Sequence, residues 1–133
     1  MITDFKIGYA PADFLELYYT SKVSWFGVRY VTGGGATVAN GLSALGTTFY
    51  FRPMAPSLFI AGGLGLSYRS TPFESGSQTL IGFGFFAGIG YEFYKHLNVE
   101  LDLIGGKPSR TKDGVKTEYN ALSVKLTVNA LGY

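Results

Sequence analysis

The segment Leu15-Glu16-Leu17-Tyr18-Tyr19-Thr20-Ser21-Lys22-Val23-Ser24-Trp25 changes character at every second residue. One parity reads Leu15, Leu17, Tyr19, Ser21, Val23, Trp25. The other reads Glu16, Tyr18, Thr20, Lys22, Ser24. A period of two belongs to a β-strand, whose side chains point alternately to opposite faces. One face here is greasy and the other carries charge. Counted from Phe14 to Trp25, the length suits the roughly 9–11 residues that a tilted strand needs to cross a bilayer.

The pattern recurs along the chain. Phe5, Ile7 and Tyr9 alternate with Asp4, Lys6 and Gly8. Leu45, Thr47, Phe49 and Phe51 alternate with Gly46, Thr48, Tyr50 and Arg52. Leu58, Ile60, Leu64 and Leu66 share one parity, and so do Ile81, Phe83, Phe85, Ala87, Ile89, Tyr91 and Phe93. Leu97, Val99, Leu101 and Leu103 alternate with Asn98, Glu100 and Asp102. Leu122, Val124, Leu126 and Val128 alternate with Ser123, Lys125, Thr127 and Asn129. Seven strands are read in this way. The connections alternate as well. Short turns lie at Pro11-Ala12-Asp13, Pro53-Met54-Ala55-Pro56 and Tyr94-Lys95-His96. Long polar segments lie at Gly27–Gly41, Arg69–Thr79 and Lys107–Asn120. Short turns at one end and long loops at the other are the layout of outer-membrane barrels, which have even strand numbers. Eight strands are therefore expected. The eighth is either an upstream strand or Trp25–Thr32 read as a strand of its own.

Composition bounds the function. The chain has 133 residues, which fits one domain over 1–133. It contains 19 Gly, 11 Phe and 10 Tyr, and 15% of its residues are charged, against roughly 25% in soluble domains. Much aromatic surface with little charge suits an outside that faces lipid. A net charge of +2 without a basic run leaves no footprint for nucleic acid. There is no Cys and one His, so neither a disulfide framework nor a metal site is expected, and no cofactor. No apolar run reaches the roughly 20 residues of a spanning helix. The segment Met1-Ile2-Thr3-Asp4-Phe5-Lys6 lacks the apolar core of a signal peptide. A leader already removed, or a chain that is a fragment, is expected.

The alternating segments, the strand end Ile89-Gly90-Tyr91-Glu92-Phe93 and the terminal aromatic Tyr133 resemble small bacterial outer-membrane β-barrel proteins. The resemblance covers nearly the whole chain. It implies an antiparallel up-and-down transmembrane β-barrel of eight strands in a Gram-negative outer membrane. It implies recognition of the C-terminal strand by the barrel-assembly machinery, and contact with outer-membrane lipids, lipopolysaccharide among them. The alternation breaks near Asn129-Ala130-Leu131, where a bulge is expected to restore outward facing.

Nine charged residues share the inward parity: Asp4, Glu16, Glu92, Glu100 and Asp102 against Lys6, Lys22, Arg52 and Lys125. Eight strands leave an interior only wide enough for side chains. Buried charges there must be paired, so a polar network that plugs the lumen is expected. The competing reading is a narrow proton or ion path. Trp25, Tyr19 and Tyr68 at one end, and Tyr9, Phe51, Tyr91, Phe93 and Tyr133 at the other, are expected to form two interfacial girdles. His96 is the only candidate base, and it reads as a solvated turn residue with no Ser near it. Gly33-Gly34-Gly35 lacks the Lys-Ser/Thr of a phosphate loop and reads as a mobile loop. Lys107, Arg110, Lys112 and Lys116, set against Asp113 and Glu118, make a basic loop that reads as solvated, with lipopolysaccharide phosphates as the alternative contact. A non-enzymatic structural or surface-binding barrel is expected. A passive pore, a lipid-modifying enzyme and a soluble ligand-binding barrel are the alternatives.

Overall fold

A computed structural model describes residues 2–29, 31, 33–74, 79–95, 97–112 and 115–130. His96 and Tyr133 lie outside the described residues. The chain is all-β. Its main strands are β1 (Ile2–Ala12), β2 (Leu15–Arg29), β3 (Gly35–Tyr50), β4 (Ser57–Ser70), β5 (Thr79–Tyr94) and β6 (Leu97–Gly106), and the last is β9 (Ala121–Ala130). Between the last two lies a small hairpin of β7 (Ser109–Lys112) and β8 (Val115–Glu118).

These seven main strands form one antiparallel sheet in the order β1-β2-β3-β4-β5-β6-β9. Each pairs with the next main strand along the chain, with the β7–β8 hairpin inserted between β6 and β9. The sheet curls into a half-barrel. Lys6 on β1 is ion-paired with Glu100 on β6, which brings an outer strand across to the far side. Among the described residues β1 pairs only with β2, and β9 only with β6. Seven successive antiparallel strands leave β1 and β9 running in the same direction, from the loop end to the turn end.

The alternation sorts the faces. Ile81, Phe83, Phe85 and Ile89 are exposed on the outside of β5, while Phe86 and Glu92 are buried inside. On β6, Leu101 is 46% exposed between Glu100 and Asp102, both at 0%. An outer row of Leu122, Val124, Leu126 and Val128 stands out on β9, with Lys125 buried beneath it.

Several expectations change. The segment Gly27–Gly41 is not a long loop. β2 runs on to Arg29, and β3 starts at Gly35, with Arg29 paired to Gly35. Gly33 and Gly34 have φ of 88° and 94°, so the turn itself uses the left-handed region that glycine tolerates. Trp25–Arg29 thus extends β2 and supplies no eighth strand. The reason it was hidden is that Ala36 and Val38 are buried on the inward face, so apolar-out alternation fails there. Lys107–Asn120 is likewise not purely loop, because it holds the β7–β8 hairpin, tied to β5 through Ile81 and Ser109. Pairing of β6 with β9 stays in register through Ala130, so no bulge occurs up to that point. The register shifts lie instead at Tyr9/Ala12 and Glu92/Tyr94, both at the turn end.

Candidate functional site

The inward face of the half-barrel is the candidate site. Its centre is Lys22, fully buried on β2. Its Nζ donates to Asp4 Oδ2 at 2.6 Å, to Asp102 Oδ2 at 2.6 Å and to Glu100 Oε1 at 3.4 Å. An ammonium has three donors, and here each finds a carboxylate. Lys6 donates to the other oxygen of Glu100. Asn129 Nδ2 adds bonds to Glu100 Oε2 at 3.2 Å and Asn98 Oδ1 at 3.0 Å. Ions removed from water cost several kcal/mol each, and only such dense pairing offsets that cost. Among the described residues, Asp102 Oδ1 is the one buried side-chain oxygen without a hydrogen-bond partner.

An aromatic block lies on the concave face beside the ions. Tyr18 and Phe86 lie 6.5 Å apart, and Tyr50 and Phe59 lie 5.2 Å apart. Lys6 Nζ sits 5.0 Å from the centre of the Tyr18 ring, and Lys22 Nζ 5.2 Å from that of Phe86. Ring faces attract cations, so the aromatics also solvate the charges. Glycines make the room. A Cβ on Gly63 would collide with the Phe86 ring, and one on Gly90 with the Phe59 ring.

Eight of the nine residues expected in the lumen face inward. Asp4, Lys6, Lys22, Glu100 and Asp102 are brought together. Lys125 is buried beside them. Glu16 sits nearer the turn end, where it accepts a bond from Tyr50 Oη at 3.2 Å, and Glu92 is buried on β5. Arg52 is the exception. It lies exposed in the bend after β3, because that strand ends at Tyr50 and the inward row ends with it. The four inward aromatics were missed, since Tyr18, Tyr50, Phe59 and Phe86 share a parity with polar residues. For three of them the signal was present in the paired glycines: Gly46 beside Tyr18, Gly90 beside Phe59 and Gly63 beside Phe86.

Of the expected girdle residues, Tyr9, Phe51, Tyr91 and Phe93 are exposed at the turn end. Trp25 stacks near Phe73 at 6.3 Å toward the loop end, and Tyr68 lies over Gly41 close by. Tyr19 does not join them. It is the fifth residue of β2, near its turn-end start, and its hydroxyl meets Ser43 Oγ at 3.3 Å.

Among the described residues no group of His, Asp and Glu forms a metal-binding cluster. Where Asp4, Glu100 and Asp102 converge, the Lys22 ammonium takes the central position. Comparisons with known protein families, curated proteins and solved structures return no match. The fold and site define an all-β protein of one curled antiparallel sheet. An ion-paired cluster and a block of aromatic rings lie on its concave side, and a row of exposed apolar side chains covers its convex side.

Proposed function

We infer that this chain is the body of a small outer-membrane β-barrel with a plugged polar lumen, acting through its loops as a structural or surface-binding element. One observation carries this reading: a continuous row of large apolar side chains is exposed outside while paired ions are buried inside. Leu126 and Val128 are 65% and 74% exposed, while Lys22, Glu100 and Asp102 are at 0%. In water such a surface is a large aggregation-prone patch. In a bilayer it is the lipid-facing band of a barrel. The absence of a long apolar helix among the described residues bears only on helical spans.

Closure into eight strands fits the odd count of seven. A strand running from the turn end to the loop end is antiparallel to both β1 and β9, and it removes both open edges. The proposed partners are outer-membrane lipids, lipopolysaccharide at the basic loop end, and the barrel-assembly machinery. We read the protein as a non-enzyme. The pore reading is disfavoured by the paired ions and rings that occupy the lumen. The test is folding by circular dichroism with and without detergent micelles. Strand-rich spectra only in micelles are expected. A monomer that is stable and soluble without detergent overturns the membrane reading.

A further inference from the structure

The β7–β8 hairpin keeps the register of the two strands that lead into it. Gly106 faces Ala121, and further along the same ladder Ser109 faces Glu118. Ser109 also pairs with Ile81, whose side chain is exposed on the convex side. Directly paired residues point to the same side of a sheet, and their neighbours in the chain to the other. Arg110 therefore takes the concave side, in the row that runs through Leu80. Arg69 pairs with Leu80 from the other flank, on β4. The row continues to Asn40 on β3, which pairs with Arg69, and to Thr117 on β8, which pairs with Arg110. Two guanidiniums, an amide and a hydroxyl thus surround one leucine at the loop end of the concave face.

Two strand spacings, about 10 Å, separate the Arg69 and Arg110 backbones, which two arginine side chains can span. The Arg69 guanidinium lies 3.9 Å from the centre of the Tyr119 ring. Tyr119 N donates to the Pro108 carbonyl at 2.9 Å, which sets that ring at the foot of the hairpin. A guanidinium stacked on a ring keeps its N–H edge free for a planar fork of acceptors. Among the described residues neither guanidinium is hydrogen-bonded or ion-paired. On the strands that carry Arg110 and its ladder, the nearest concave carboxylate is Asp102, well below it on β6 and bound to Lys22 at 2.6 Å. Glu118 has the convex parity, opposite Ser109. Two forks that converge without a carboxylate fit an oxyanion able to accept from both. A phosphate monoester offers three strong acceptor oxygens and a charge of about −1.5 to −2 at neutral pH.

We propose that Arg69 and Arg110 form a binding site for a phosphate group, with Asn40 and Thr117 as further donors. The site gives the surface-binding reading a ligand class and rests on that reading only in taking the loop end as the face that meets the ligand. The experiment is isothermal titration of the folded protein, in a non-ionic detergent or in plain buffer according to where it folds. The probes are inorganic phosphate and, separately, short-chain phosphatidic acid. The expected result is saturable binding of at least one probe, with Kd raised about tenfold in Arg69→Gln and in Arg110→Gln and binding lost in the double variant. Lys107→Gln, which removes an exposed cation outside the row, should leave Kd unchanged. Binding of inorganic phosphate supports the site with a soluble ligand. Binding of phosphatidic acid alone supports it with a lipid headgroup. No saturable binding of either probe overturns the site, and so does binding that survives in the double variant or weakens as much in Lys107→Gln. Should the double variant not fold, the single variants set against Lys107→Gln decide. Failure to bind in a protein that folds only in detergent sinks this site and leaves the membrane reading intact. Saturable binding in a protein that folds without detergent does the reverse.

Discussion

Lys22 Nζ lies 2.6 Å from Asp102 Oδ2, though 80 residues separate them in the chain. Lys22 also holds Asp4 on β1, so one ammonium ties together the first, second and sixth strands. Its ammonium also faces the Phe86 ring on β5, 5.2 Å from the ring centre. The curl of the sheet and the neutrality of its interior are therefore coupled. Opening the half-barrel strands three carboxylates, and removing the ammonium does the same without opening it.

Removal of Lys22 is accordingly expected to be severe. Lys22→Met should destabilise by about 3–5 kcal/mol, because buried carboxylates are left uncompensated. Lys22→Met combined with Asp4→Asn and Asp102→Asn should cost less than Lys22→Met alone. Urea unfolding of all three-residue and single variants in one detergent checks this. A triple variant less stable than the single one would show that each charge contributes on its own.

The outward face supplies the second expectation. Leu101→Arg places a charge in the apolar band and should cost about 2–4 kcal/mol in a bilayer. Val31→Arg, in the turn between β2 and β3 where the side chain is fully exposed, should change stability little. Val31 is the better control than Gly33 or Gly34, whose positive φ makes any side chain strained. Equal losses at Leu101 and Val31 count against a lipid-facing band.

Glycine packing gives a third. Gly90→Val drives a branched side chain into the Phe59 ring, with an expected cost of about 1–3 kcal/mol from overpacking. Gly62→Ala should be nearly neutral, since its Cβ comes no nearer than 3.5 Å to another group. Thermal unfolding of the two variants side by side separates the cases. A loss at Gly62→Ala as large as at Gly90→Val would mean that the inner rings do not set the packing.

Conduction is the fourth. Paired ions and four aromatic rings occupy the lumen, so the purified protein should show no steady single-channel current in planar bilayers. Lys22→Ala, which deletes the central cation and its stem, is the variant in which leakage is expected first. Resolved, stable currents from the unaltered protein would favour the pore reading over the structural one.

Much of this protein is written locally. The alternation in Leu97–Leu103 or Ile81–Phe93 states strand, and states which parity is apolar, because successive side chains point to opposite faces wherever the chain is extended. Seven main strands and their turn ends follow from that pattern, as does the inward set from Asp4 to Lys125. Other features are not local. The alternation in Tyr50-Phe51-Arg52 continues past the end of β3, and only the loss of cross-strand partners puts Arg52 outside. Ala36 and Val38 hide a strand because the inner face there is apolar. Tyr18, Phe59 and Phe86 read as misplaced apolar residues until their register partners Gly46, Gly90 and Gly63 on the neighbouring strands are seen to accept their rings. That Lys22 holds Asp102 and that Lys6 holds Glu100 depends on how far the sheet curls. Facing is a property of neighbours in sequence, whereas pairing belongs to residues that only the curl of the sheet brings within reach.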